Sequence, residues 1–179
     1  LDRVIRKSTT VRSWRTNDAM KKSSTKGQDA FKPANYFNIW VVGDMGGVLG
    51  YATFPESAGL WNDGVVIAAN YFGNTSAAPY NLGRTATHEV GHYLNLRHIW
   101  GDGNCATDYV DDTPTQQDKN FGKPTYPQYD LCGGVNRSIQ FMNYMDYVDD
   151  AGMYMFSTGQ KNRIAAIFTA GGARASFAQ

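Results

Sequence analysis

Histidine and cysteine are scarce in this chain, three and two among 179 residues, and no apolar run approaches the roughly 20 residues that a membrane-spanning helix needs. Cys105 and Cys132 are too few to staple a mini-protein and too far apart for a Cys-x-x-Cys metal or redox site. They can pair as one disulfide or stay as two buried thiols. No charged leader with an apolar stretch follows Leu1, so no signal peptide is visible, which leaves export open. Internal repeats and low-complexity tracts are missing as well. With 42% hydrophobic, 13% aromatic and 18% charged residues, the composition is that of a soluble globular chain with one sizeable core.

The near-neutral net charge of +1 hides an asymmetry. Residues 1–32 hold nine Lys/Arg against three Asp, whereas the remainder holds eight against thirteen acidic groups. A basic arm can bind nucleic acid, but no recognition motif accompanies it, so no nucleic-acid partner is expected. A solvated segment lying against an acidic body is the preferred reading.

Residues 1–35 lack clean periodicity and are expected to be irregular and peripheral, with a short helix near Asp18 to Lys22. Three β-branched and aromatic stretches, Tyr36 to Val42, Val48 to Phe54 and Gly64 to Gly73, each end in turn residues and predict strands. From Asn81 the period becomes helical, with Ala86, Val90, Tyr93 and Leu94 on one apolar face. Residues 101–135, rich in Gly, Asp, Pro, Asn and Thr, predict a long loop of the kind that is uncommon unless functional or pinned. Ser157 and Gln160 form a capping box at the start of a last helix, whose buried face is Ile164, Ile167 and Phe168.

All three histidines fall in "HEVGHYLNLRH", residues 88–98. His88 and His92 stand about 40° apart around a helix axis, one turn above the other, so both can reach one ion. Glu89 lies out of line with them, as suits a residue that contacts water beside the metal. This is the His-Glu-x-x-His signature, in which zinc lowers the pKa of bound water toward 7 and the glutamate removes its proton. His98 would sit about 120° off that face and roughly 9 Å further along if the helix continued. The chain must therefore turn sharply, and Asn95 stands where the turn is needed. Asn is, after Gly, the residue that best tolerates a left-handed conformation at a helix end.

With its third histidine the stretch resembles the extended zinc motif of metzincin metalloproteases, with Asn95 in the usual glycine position. "NIWVV", "LGYATFP", "GRTATHEVGHYLNLRHIWGD", "DDTP" and "FMNYMDY" together resemble the pappalysin family over roughly residues 36–170. The resemblance implies an α+β fold in one catalytic domain spanning 1–179. Residues 1–94 would form a twisted, mostly parallel sheet with an antiparallel edge strand and the active-site helix. Residues 95–179 would form an irregular subdomain with a Met-turn and a final helix. Family members carry a strand and a long backing helix ahead of this region, so the chain is expected to begin partway into the first part. No latency segment is visible.

The implied activity is that of a secreted or cell-surface, monomeric zinc endopeptidase acting on peptide or protein substrates. His88, His92 and His98 would hold zinc, Glu89 would act as general base and then acid, and Tyr147 would stabilise the oxyanion above a floor made by Met145. Asp102, Asp108, Asp111, Asp112 and Asp118 carry no compensating cation between Gly101 and Asp118. Hard oxygen ligands suit Ca²⁺, and the family adds calcium sites in this region; Asp108, Asp111, Asp112, Thr113 and Thr115 are the candidate ligands, against a plain solvated acidic loop. Export favours a Cys105–Cys132 disulfide, worth about 3 to 4 kcal/mol by loop closure. The family pattern makes Val65 to Asn70, with Ala68, Ala69 and Asn70, an exposed edge to which a peptide adds as a strand. Asp149 and Asp150 would wall the pocket for the residue after the cleaved bond and favour Arg or Lys there, unless they are a solvated pair. A non-catalytic zinc-binding module and a hydrolase of non-peptide amides or esters are the competing functions.

Overall fold

The computed structural model describes residues 1–74 and 78–178. Three strands, β1 (Ile39–Val42), β2 (Gly50–Ala52) and β3 (Val65–Ala68), form a sheet in the order β1-β3-β2. β1 runs parallel to β3, with Ile39 opposite Val65, and β2 runs antiparallel to it, with Tyr51 opposite Val66. Among the described residues the sheet is therefore small and mixed, with β1 parallel to β3 and the expected antiparallel edge strand in β2.

β3 is the central strand, not an exposed edge, and the edge expected at Val65 to Asn70 is corrected here. Its backbone bonds are taken on both sides and both of its faces are covered. Val65 and Ile67 face a cluster with Tyr93, Ala86 and Leu94, while Val66 and Ala68 face Trp14, Met20, Trp40 and Met45. A continuous apolar run is what burial on two faces selects. Ala68 is buried within this strand, and Ala69 and Asn70 are exposed in the short 3₁₀ turn that follows. The outer strand beside the helix is β2.

The helix α1 (Arg84–Tyr93) packs against β2 and β3. The basic segment before the sheet is less peripheral than its composition implied. Trp14 and Met20 are core residues, and Lys21, 1% exposed, is paired with Asp18 at 3.0 Å and donates to the Asn62 carbonyl. The 3₁₀ turn Ala19–Lys21 falls where a short helix was expected.

After α1 the described residues are irregular apart from a hairpin, one α-helix and two short 3₁₀ turns. The hairpin β4 (Tyr129–Cys132) and β5 (Val135–Ser138) turns on Gly133 and Gly134, both at positive φ, and lies partly inside the stretch expected to be loop alone. The helix α2 (Thr158–Ala166) begins with the capping box of Ser157 and Gln160. Ile167 is buried, while Ile164 is half-buried against Leu96, Ile99, Trp100 and Met145. Cys105 and Cys132 are joined, with 27 residues of sequence separation. No helix among the described residues is long and apolar enough to cross a membrane.

Candidate active site

α1 ends as the metal geometry requires. Asn95 has φ 78°, the left-handed conformation that a glycine would adopt. The Leu96 N–H donates to the Gly91 carbonyl at 2.8 Å and the Asn95 N–H to the His92 carbonyl at 3.0 Å. Those two bonds are the Schellman closure of a helix, and they turn the chain so that His98 comes back toward the helix.

His88, His92 and His98 form the one group of three metal-binding side chains found among the described residues, their candidate ligand atoms all within 4.8 Å of one another. Each ring has its Nδ1 occupied: His88 by the Tyr144 carbonyl at 2.7 Å, His92 by the Leu96 carbonyl at 2.8 Å, and His98 by the Asp102 carboxylate at 2.5 Å. Such bonds fix the tautomer that leaves Nε2 as a bare lone pair. The Nε2 atoms of His92 and His98 then face each other at 3.1 Å with no proton between them. Two facing lone pairs repel unless a cation sits between them, and nitrogens about 2.0–2.1 Å from a tetrahedral zinc lie at about this separation. Burial, with the neighbouring rings, lowers His88 well below the ordinary histidine value; burial and His98 lower His92 to about 4; burial also lowers His98. Three neutral imidazoles in this arrangement are a donor set that fits zinc.

Glu89 sits beside this cluster, almost fully buried, and burial pushes its carboxyl up to about 8. A carboxyl that exchanges its proton near neutral pH suits a group that first takes a proton and then gives it back. β2 approaches it closely: a Cβ on Gly50 would lie 2.9 Å from Glu89 Cγ. Met145 is fully buried, and a Cβ on Gly91 would collide with its sulfur, so the glycine inside the motif is required by the methionine packed against it. The Tyr147 ring lies 5.5 Å from His88 and 5.0 Å from His98, and burial, followed by the Glu89 charge, raises its hydroxyl to about 12.

A cavity of about 320 Å³ opens from Glu89 between the segment leading into β2 (Gly47, Val48, Leu49, Gly50) and the chain after Met145 (Tyr147, Val148, Met153). Asp150 reaches its wall, but it is 2% exposed and its carboxylate accepts the Leu82 and Arg84 N–H groups at the start of α1. Asp149 is half-buried and does not line the cavity. Asp150 is thus a buried, bonded carboxylate at the cavity wall.

The acidic loop is held together by hydrogen bonds to its own carboxylates. Among the described residues the carboxylates of Asp108, Asp111 and Asp112 do not come together as one group. Asp108 accepts the Thr113 hydroxyl at 2.7 Å and the Val110 N–H at 3.1 Å, while Asp112 accepts the Ser157 hydroxyl at 2.6 Å and the Gly159 N–H at 2.8 Å at the start of α2. Asp111 is exposed and Thr115 half-buried. Asp108 and Asp112 thus each take protein donors, while Asp111 stands exposed.

Two functional positions escaped sequence reasoning. Asp102 orients His98, which also stacks on Trp100 at 4.2 Å between ring centroids. Its signal was the four-residue spacing His98–Asp102, hidden among neighbouring aspartates. Gly50 lets β2 lie against Glu89; a glycine inside a strand pattern signals such a close approach.

Comparison with known proteins agrees with this geometry. Residues 20–169 match the peptidase M43 family, described as pregnancy-associated plasma protein-A. Extracellular metalloprotease 1 of Coccidioides posadasii is 37% identical over 166 residues, covering 87% of this chain and 57% of the relative. An extracellular metalloprotease of Colletotrichum graminicola is 38% identical over 165 residues, covering 88% and 56%. Mature mirolysin of Tannerella forsythia, solved in complex with a cleaved peptide, superposes with a TM-score of 0.89 at 42% identity, covering 94% of this chain and 66% of that one. The chain spans a little over half the length of the curated relatives it matches.

Proposed function

The chain belongs to the peptidase M43 family of pregnancy-associated plasma protein-A, and from that premise we propose that it is a zinc-dependent endopeptidase. The observation that carries the reading is the convergence of three Nε2 atoms whose Nδ1 partners are all engaged, beside a buried carboxyl. His88, His92 and His98 would hold the ion, which when bound supplies a Lewis acid that polarises the scissile carbonyl and acidifies water.

The protein's own groups do the rest. Glu89 accepts the proton of the attacking water on its carboxylate and delivers it to the nitrogen of the leaving amine. Tyr147 donates its hydroxyl proton as a hydrogen bond to the developing oxyanion; a hydroxyl held at about 12 stays protonated through the working range. Met145 supplies an apolar floor, and Asp102 holds the His98 ring in its tautomer. The substrate would lie along β2 as an added antiparallel strand, since β2 is an edge strand and the residues leading into it wall the cavity beside Glu89. Residues 1–94 and 95–179 then form the two sides of the cleft in one catalytic domain, acting as a monomer. The Cys105–Cys132 bridge and the extracellular names of the relatives support secretion.

The test is Glu89→Gln. It should keep stoichiometric zinc and lower cleavage of an unfolded protein substrate by at least about 10²- to 10⁴-fold. Cleavage at near parental rate would remove Glu89 from the mechanism, and cleavage that survives full removal of metal by a chelator would remove the metal.

A further inference from the structure

Two arginines distant in sequence close on the turn that delivers His98. The Schellman bonds satisfy the carbonyls of Gly91 and His92 but leave those of Tyr93 and Asn95, on either side of the break, without helical partners. Arg174 Nε donates to the Tyr93 carbonyl at 3.1 Å, and Arg163 Nε donates to the Asn95 carbonyl at 2.7 Å. Arg163 Nη2 also lies 3.4 Å from the Asn95 side-chain oxygen, a contact that a glycine in this position could not provide.

The two clamps differ in what else they do. Arg174 is 1% exposed, grips Asp63 with both terminal nitrogens at 2.7 and 2.9 Å, and lies 3.4 Å from the Tyr93 ring centroid. It ties the end of the chain to the sheet and the helix together. Arg163, on α2, is only half-buried and makes its two hydrogen bonds to Asn95. Asn95 is three residues before His98, and a non-glycine residue at positive φ stays there only where its surroundings hold it.

We infer that Arg163 is a positioning residue for the third metal ligand, acting through Asn95 on His98, and that the Asn95 side chain is the handle it grips. Arg174 anchors the helix end against which Arg163 works. This rests on the three histidines being a zinc site. On that basis Arg163→Gln should leave the metal-free fold nearly unchanged and weaken zinc retention by about 10- to 100-fold, the usual effect of losing support behind a ligand.

The experiment is chelator competition for zinc on the full chain in four forms: parent, Arg163→Gln, His98→Ala, and both together, with the melting temperature of each metal-free form. If Arg163 acts through His98, its loss weakens zinc retention in the parent and has no further effect once His98 is gone. An equal loss in both backgrounds, or none in the parent, overturns the inference. Failure of the parent itself to hold zinc would instead overturn the zinc reading beneath it. Should Arg163→Gln not fold, Arg163→Met carries the same four-way comparison, because methionine keeps much of the apolar stem while removing every donor toward Asn95. Asn95→Gly should keep the turn and lose only the side-chain contact, giving a smaller drop in retention than Arg163→Gln; a larger one would contradict the clamp.

Discussion

Residues 39–93 and residues 101–157 are held together by different physics. In the first region, strands and helix satisfy their own backbone groups, and β3 is buried on both faces by apolar side chains. In the second there is little regular structure, and the donors that strands would have paired are met by aspartates. Asp146 alone, fully buried, accepts the Asn120 and Tyr147 N–H groups and the side-chain amides of Gln116 and Asn120. Asp108, Asp112 and Asp130 serve as further backbone acceptors. Two of the carboxylates expected as ion ligands, Asp108 and Asp112, also bind the loop and the start of α2 together. A long loop can thus be specified by hydrogen bonds from buried acceptors such as Asp146 where regular structure is sparse.

Removing a large apolar group from the first region should have the largest effect. Ile67→Ala leaves a cavity in a fully buried central strand and should lower unfolding free energy by about 2 to 5 kcal/mol. Reducing the Cys105–Cys132 bridge comes next, at about 3 to 4 kcal/mol if loop closure dominates. Hydrogen exchange should then show lost protection in residues 101–138 with β3 still protected; uniform loss would mean the two regions share one cooperative unit. Asp146→Ala strands several buried donors and should cost about 1 to 3 kcal/mol or more in urea unfolding, despite removing no apolar surface. A cost under about 0.5 kcal/mol would place Asp146 with ordinary surface residues and erase the distinction drawn here.

The same contrast explains what could be read before the structure. The β-branched runs around Trp40 and Val66, the helical period through Tyr93 and the three histidines all follow from apolar burial and helix geometry, which are local and periodic. Even the left-handed Asn95 followed from the angle between His92 and His98. Strand order did not: the run Val65–Ala68 is equally apolar as an edge or as a centre, and only pairing with both β1 and β2 decides it. The hairpin at Gly133–Gly134 carried a turn signal, but Tyr129, Leu131 and Val135 are exposed, so no burial pattern accompanied it. Nor does an aspartate in sequence reveal that it will accept from a hydroxyl as distant as that of Ser157, 45 residues on from Asp112.

That last ambiguity yields the smallest effect and the one most specific to the second region. The Ser157 hydroxyl, then the Gly159 N–H, hold Asp112 below the ordinary aspartate value of 3.8. A carboxylate whose folded pKa is depressed contributes stability that is fully present above the unfolded value and is lost as pH falls through the folded one. Asp112→Asn keeps the shape and an acceptor oxygen while discarding the charge, so the variant should be slightly less stable than the parent at pH 6. The gap should close as pH drops below about 4. Paired urea titrations at pH 6 and pH 3 would read this directly. A gap that persists at pH 3 would mean that the hydrogen bonds, not the charge, anchor α2. Added calcium that stabilises the parent and not the variant would return Asp112 to the role of an ion ligand.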